Sequence, residues 1–229
     1  MQRSELLARL RGGLLVSCQA QPDEPLHGAQ HMAAMARAAE VGGACGIRAE
    51  SPADIVAIRA AVPLPLVGLW KQGSEGVYIT PTCAAARAVV EAGADIVAVD
   101  ATQRAREVPA EDLIRWIECD LGRPVLADVS TLEEALAAEA AGATAVAPTL
   151  SGYTGGPVPS EPDWTLLEAM LRMCRVPVFM EGRIWAPEQA SRALAMGAWT
   201  VVVGSAITRP QLITRRFVAA LGTAAEVSS

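Results

Sequence analysis

The sequence predicts a closed barrel of eight parallel strands alternating with helices, a (β/α)8 or TIM barrel, forming a single domain over residues 1–229. Three observations support this prediction. A helical stretch, a glycine and a short β-type run recur four times, with glycines at Gly42, Gly93, Gly142 and Gly197, about 50 residues apart. Further short apolar runs lie between these marks, and most of them follow a proline. Every run is continuously apolar, as parallel strands buried on both faces are.

Eight strands are predicted in chain order, and each ends in or just before a polar residue. They are Leu14–Cys18, Ala44–Arg48, Leu66–Trp70, Ile96–Asp100, Val125–Asp128, Ala145–Pro148, Val178–Glu181 and Val201–Gly204. The helices between them are Ala29–Val41, Pro52–Ala61, Cys83–Ala92, Ala110–Glu118, Leu132–Ala141, Trp164–Cys174, Pro187–Met196 and Gln211–Ala220. Each of the four repeated glycines should adopt the left-handed conformation that ends a helix. A doubly wound open sheet is the alternative, but it would require a glycine-rich fingerprint after the first strand, and "VSCQAQPDEPLHG" has none.

Composition excludes several classes of function. The net charge of −6 and the isoelectric point near 5.0 disfavour nucleic acid or an anionic membrane as a partner. The five cysteines are widely spaced and include no CxxC pair, which is typical of a reducing compartment, so we expect a soluble cytoplasmic protein. The charged stretch "MQRSELLARLRGG" does not match a signal peptide.

Polar side chains follow the predicted strands where a barrel would bring all of them to one mouth. They are Gln19, Arg48, Lys71, Asp100, Asp128, Thr149, Glu181 and Ser205. Function in such barrels lies at this end, so the mixture of acids and cations indicates a catalytic site. The alternative is a ring of strand-end residues that simply contact solvent.

Lys71 and Glu181 stand out within this group. They end the third and seventh strands, which face each other in a ring of eight, so both side chains could approach one small carbon skeleton from opposite faces. Lys71 is also the only lysine in the chain, and all other basic residues are arginine. A lysine can lose its proton when it is desolvated or lies near another cation such as Arg48, whereas an arginine cannot. This pattern favours two proton carriers that invert a stereocentre.

An anion site is predicted in the last two loops that follow strands. These loops contain "EGRIWAPEQ" and "GSAITRPQ", in which Gly182 and Gly204 permit close approach to the backbone and Ser205, Arg183 and Arg209 supply donors. Barrels often bind phosphate in this position.

The long loop after the sixth strand, "TLSGYTGGPVPSEPDW", is predicted to form a substrate wall with Tyr153 and Thr154 at its tip. No metal site is expected. His27 and His31 have metal-ligand spacing, but His27 should precede the helix, and none of the predicted strands ends in a histidine.

As a set and in this order, ten segments resemble the bacterial N-acetylmannosamine-6-phosphate 2-epimerase family of sialic acid catabolism. They are "GGLLVSCQA", "EPLHG", "GGACGIRAE", "PLVGLWK", "VYITPT", "GADIVAVDAT", "LADVSTLEEA", "TLSGYTGG", "PVFMEGRIWAPEQA" and "VVVGSAITRP". The resemblance spans nearly the whole chain, with one departure: the loop "QGSEG" after Lys71 is shorter and less charged than is usual in the family.

The resemblance implies a barrel of the ribulose-phosphate-binding type that interconverts N-acetylmannosamine 6-phosphate and N-acetylglucosamine 6-phosphate with no cofactor or metal. By similarity, Lys71 and Glu181 carry protons at C2, Arg48 and Asp128 support the carbonyl and ring oxygens, and Gln19 contacts the sugar. The segments "GYT" and "GSAITR" would hold the phosphate, and the family expectation is a homodimer.

Three alternative functions remain open on the residues alone. The barrel could be another sugar-phosphate isomerase, an aldolase that forms a Schiff base through Lys71, or a non-catalytic phosphosugar-binding protein.

Overall fold

The computed structural model describes residues 2–73 and 75–226 and confirms the predicted barrel. Its eight parallel strands are β1 (Leu14–Cys18), β2 (Gly46–Glu50), β3 (Leu66–Leu69), β4 (Ile96–Asp100), β5 (Val125–Asp128), β6 (Ala145–Ala147), β7 (Phe179–Glu181) and β8 (Thr200–Val203). Neighbours in sequence are neighbours in the sheet, and β1 also pairs with β8. A parallel bridge between Val146 and Val178 joins β6 to the start of β7 and brings the ring to near closure.

Helices alternate with the strands. They are α1 (Arg3–Leu10), α2 (Ala29–Val41), α3 (Pro52–Ala61), α4 (Cys83–Glu91), α5 (Ala110–Cys119), α6 (Leu132–Ala140), α7 (Trp164–Met173), α8 (Pro187–Met196), α9 (Ser205–Thr208) and α10 (Pro210–Glu226). No helix in the described part of the chain is both long and apolar enough to cross a membrane.

Side chains alternate between two cores along each strand. In β4, Ile96 and Ala98 point into the barrel, whereas Val97 and Val99 pack against the surrounding helices. Both faces are therefore apolar, which explains the continuous hydrophobic runs. Asp100 follows Ala98 by two positions, so its side chain also points inward and lies at the mouth of the barrel.

Helix α1 closes the other end of the barrel and was not predicted. Leu6 and Leu10 belong to the interior cluster, and the Trp199 indole donates to the Leu7 carbonyl over 2.8 Å. This helix precedes the first strand and lies outside the repeated pattern of helix, glycine and strand from which the other elements were predicted.

Three predictions about the ends of elements were wrong. Two misplaced an end by two or more residues, and one assigned the wrong backbone conformation to a glycine. The second strand was predicted over Ala44–Arg48 but runs over Gly46–Glu50, so Arg48 lies inside it. Gly42 has φ −73°, and the left-handed residue at that helix end is Gly43, at φ 91°. The last helix extends well beyond the predicted Gln211–Ala220, and the remaining ends differ by at most one residue.

Candidate active site

A cavity of about 250 Å³ opens at the carboxyl ends of the strands. Ten predicted site residues line it: Gln19, Arg48, Lys71, Tyr153, Glu181, Gly182, Arg183, Gly204, Ser205 and Arg209. Among the predicted site residues, which all lie in the described part of the chain, Asp128 and Thr154 do not line it. Asp128 is fully buried, and Thr154 is exposed in the loop after β6.

The alternation of the strands explains why Lys71 and Glu181 face this cavity. Lys71 follows the interior residue Leu69 by two positions, and Glu181 follows the interior residue Phe179 by two. Strands β3 and β7 are four apart in a ring of eight, so the two side chains enter from opposite sides.

Arg48 is the centre of a buried ion network and is only 1% exposed. Its Nη2 lies 2.5 Å from Asp128 Oδ2, and its Nη1 lies 3.1 Å from Asp128 Oδ1 and 2.7 Å from Glu181 Oε2. The Thr149 hydroxyl donates to Asp128 over 2.6 Å. Burial opposes the charge of Arg48, but the two carboxylates outweigh it and raise the pKa of the guanidinium.

Asp128 and Arg48 were predicted to support the carbonyl and ring oxygens of the sugar. Both have protein partners, and of the two only Arg48 lines the cavity. Asp128 holds Arg48 through a bidentate pair and is shielded from the cavity. Arg48 in turn holds the Glu181 carboxylate on the wall of the cavity. The network therefore fixes the position of Glu181, and Asp128 is linked to the cavity through Arg48 and Thr149.

Lys71 is anchored through its backbone at the end of β3. It forms an antiparallel bridge with Ile79, so the chain folds back on itself across the loop after Lys71. Its own N–H donates to Glu50 Oε1 over 3.1 Å. Burial lowers the pKa of Lys71; Glu50 opposes this shift, and the charges of Arg48 and Arg209 add to it.

Glu181 shows the opposite shift. Burial raises the pKa of Glu181 to about 7, with Asp128 adding to the effect and Arg48 and Lys71 opposing it. Lys71 and Glu181 line the same cavity. The cavity holds an amine that loses its proton more readily than usual and a carboxyl that keeps its proton more readily than usual.

The segments predicted to bind an anion lie together on one side of the cavity. Gly182 adopts φ 116°, a conformation that favours glycine, and Gly204 precedes the short helix α9, which begins at Ser205. Arg209 reaches the same wall and pairs with Glu24 at 3.3 Å.

Arg183 is tied to the loop after β6. Its Nε donates to the Glu161 carbonyl over 2.6 Å and its Nη1 donates to the Ser151 carbonyl. Its guanidinium carbon lies 5.6 Å from the centre of the Tyr153 ring. Arg183 therefore organises this loop at the rim of the cavity.

Several lining residues were not predicted from the sequence. They include Ser17, Tyr78, Trp185 and Thr208, whereas Thr149 was expected at the mouth as a strand-end residue. Alternation could have found Ser17, which lies two residues before Gln19 and accepts a hydrogen bond from its amide over 2.9 Å. Tyr78 comes from the loop that folds back beside Lys71, and no sequence signal marks that fold.

Within the described residues, no group of three or more His, Cys, Asp or Glu side chains is arranged to hold a metal ion. His27 precedes α2, as predicted, and its Nδ1 lies 3.1 Å from the Ala20 carbonyl oxygen.

Comparisons with known proteins confirm the resemblance drawn from the motifs. The NanE family model, described as "Putative N-acetylmannosamine-6-phosphate epimerase", matches residues 32–223. A protein of Thermosynechococcus vestitus named "Putative N-acetylmannosamine-6-phosphate 2-epimerase" is 48% identical over 97% of this chain and 99% of its own length. A protein of the same name from Caldanaerobacter subterraneus subsp. tengcongensis is 50% identical over 93% of each chain.

A solved structure shows the same relationship. The N-acetylmannosamine-6-phosphate 2-epimerase of Clostridium perfringens superimposes with a TM-score of 0.90 at 42% identity, covering 93% of this chain and 95% of that one. The matching family model, the close relatives and this superposition lead to one conclusion: the chain belongs to the NanE family.

Proposed function

We propose that the protein is an isomerase that inverts C2 of N-acetylmannosamine 6-phosphate to give N-acetylglucosamine 6-phosphate, without a metal or an organic cofactor. The names of its relatives support this reaction. The observation that carries the proposal is the placement of Lys71 and Glu181 on opposite strands, both facing one cavity. Inversion at a carbon needs a proton to leave one face and another to arrive at the opposite face.

The proposed step begins with the open-chain sugar, in which the C1 aldehyde acidifies the hydrogen on C2. One carrier removes this proton and the C2–H electron pair moves into an enolate whose negative charge develops on O1. The other carrier then gives its proton to the opposite face of C2, and the aldehyde re-forms. Each carrier finishes in the protonation state that the other had, so proton exchange with water restores the starting state.

The pKa shifts suit these two roles. A lysine with a lowered pKa is unprotonated more often and can act as a base, and a glutamic acid with a raised pKa can act as an acid. Arg48 holds Glu181 in place and contributes positive charge beside the developing enolate, which is the type of stabilisation that lowers such barriers most.

We propose that the phosphate binds where Gly182, Gly204, Ser205 and Arg209 meet, with Arg183 at the rim. Gln19 and Tyr153, which line the cavity, would contact the sugar. Thr154 is exposed and outside the cavity lining, so it is not part of this proposal. Phosphate binding far from C2 would fix the carbon skeleton between the two carriers.

The test is conversion of N-acetylmannosamine 6-phosphate by EDTA-treated protein in D₂O, followed by NMR. We expect full conversion to the equilibrium mixture and one deuterium at C2 of the product. Conversion that requires an added metal or nicotinamide, or product that retains its original hydrogen, would contradict the proposal. Borohydride inactivation only in the presence of substrate would instead identify a Schiff base on Lys71.

We also propose that the protein is a cytoplasmic homodimer. All five cysteines are free, which agrees with a reducing compartment.

The dimer is proposed from an exposed apolar face on α10. Phe217, Val218 and Leu221 are 70%, 62% and 73% exposed, and a second subunit could cover them. Light scattering should therefore give about twice the chain mass of 23.9 kDa, and Phe217→Glu should shift this value towards the monomer. A monomeric wild-type protein would exclude the dimer.

A further inference from the structure

The backbone N–H of Lys71 donates to a side chain and not to the strand that folds back beside it. In its bridge with Ile79, the flanking residues exchange the hydrogen bonds: Gln72 N–H donates to Tyr78 O and Thr80 N–H donates to Trp70 O. Lys71 is therefore at a non-hydrogen-bonded position of the hairpin, and its own N–H points away from Ile79. The acceptor for this N–H is a side chain, the carboxylate of Glu50.

Glu50 is the last residue of β2, directly opposite Leu69 at the end of β3. The two strands are locked together at this point because the Ser51 N–H donates to the Leu69 carbonyl over 2.9 Å. Glu50 is half-buried and does not belong to the residues that line the cavity. It follows Arg48 by two positions, so it lies on the same side of β2, next to the Lys71 backbone and outside the lining of the cavity.

The charges around Lys71 give Glu50 a second effect. Arg48 and Arg209 disfavour the ammonium, whereas Glu50 and Glu181 favour it. Glu181 is already paired with Arg48 at 2.7 Å. Among the residues described, no arginine forms an ion pair with Glu50, so its negative charge acts on Lys71 without a guanidinium to neutralise it.

We infer that Glu50 is a positioning residue that fixes the backbone of Lys71 and supplies the negative charge that balances the two nearby arginines. This inference rests on the proposed role of Lys71 as a proton carrier. Without Glu50, the amine would be a weaker base towards the C2 hydrogen and would be protonated in a smaller fraction of molecules when it acts as the acid. Its backbone N–H would also lose its acceptor.

Two further titratable groups face Glu50 from neighbouring elements. Asp54, in the first turn of α3, is 5% exposed, and its pKa is raised to about 6 by burial and by the charge of Glu50. His27, before α2, acts on both carboxyls in the opposite direction. Burial raises the pKa of Glu50 itself, and the hydrogen bond from the Lys71 N–H and the charges of Lys71 and His27 oppose that shift.

The chain offers a direct measurement, because Lys71 is its only lysine. Protein grown with ¹³C-labelled lysine should give a single side-chain signal, whose shift with pH reports the protonation of this amine. We expect Glu50→Gln, which keeps an oxygen acceptor but removes the charge, to move the midpoint down by about one pH unit. Glu50→Asp, which keeps the charge, should restore most of the wild-type midpoint.

Turnover gives the second readout. Glu50→Gln should shift the Lys71-dependent limb of the kcat profile towards acid pH. Glu50→Ala, which also loses the acceptor, should lower kcat at least tenfold with KM changed less than threefold. The control is Glu168→Gln, an exposed carboxyl on α7 whose side chain is 64% exposed; it should leave both readouts unchanged.

The inference is wrong if the Lys71 midpoint of a folded Glu50→Gln variant equals that of the wild type or moves upward. The NMR titration needs no substrate, so this result is separate from the fate of the proposed reaction. A shifted midpoint in a protein that does not epimerise the sugar would refute the proposed function and leave the link between Glu50 and Lys71 in place.

Discussion

Lys71→Arg is expected to lower kcat/KM by about a thousandfold while the barrel remains folded, because a general acid or base typically contributes that much. The substitution keeps a positive charge at the end of β3 but removes the ability to release a proton at accessible pH. Burial already lowers the pKa of Lys71, and no such shift would bring a guanidinium into the useful range.

The measurement is the rate of C2 inversion by NMR, with circular dichroism and thermal unfolding to check the fold. Arg172→Lys, a basic exchange on the exposed face of α7, is the matched control and should retain full activity. Lys71→Met, which adds no bulk to the cavity, should be as inactive as Lys71→Arg. A Lys71→Arg variant within tenfold of wild type would refute the role proposed for the amine.

Glu181→Gln has the second largest expected effect, a loss of about a hundredfold to a thousandfold in kcat. The amide has nearly the same shape and can still accept a hydrogen bond from Arg48, which also keeps its bidentate pair with Asp128. The change therefore removes the titratable proton at little cost to the geometry. Thermal unfolding close to that of wild type, together with unchanged KM, would assign the loss to chemistry.

Much of the barrel was predictable because its sequence signals are local. Short apolar runs mark parallel strands, and Gly93, Gly142 and Gly197 adopt the left-handed conformation expected after a helix. Helix α1 was missed because it precedes the first repeat. That all 229 residues form a single domain stays a prediction.

The positions of Lys71 and Glu181 could also be predicted from the strand ends. A residue that follows an apolar run lies at the mouth of the barrel, and the alternation of side chains along the strand gives its inward direction. The partners of Arg48 could not be predicted, because Asp128 and Glu181 lie far away in sequence and meet it only when the ring closes. The start of β2 was predicted two residues early, so Arg48 was expected at a strand end. The strand begins at Gly46, where a side chain would meet Leu10 and Leu15.

Isotope exchange by the Glu181→Gln variant in D₂O tests the two opposed carriers most directly. With Lys71 intact on its own face of the sugar, the variant should exchange the C2 hydrogen of one epimer for deuterium without inverting it, and should leave the other epimer unlabelled. Wild-type protein should label and invert both. Inversion by the variant near the wild-type rate, or labelling of both epimers, would show that one group serves both faces and would contradict the account.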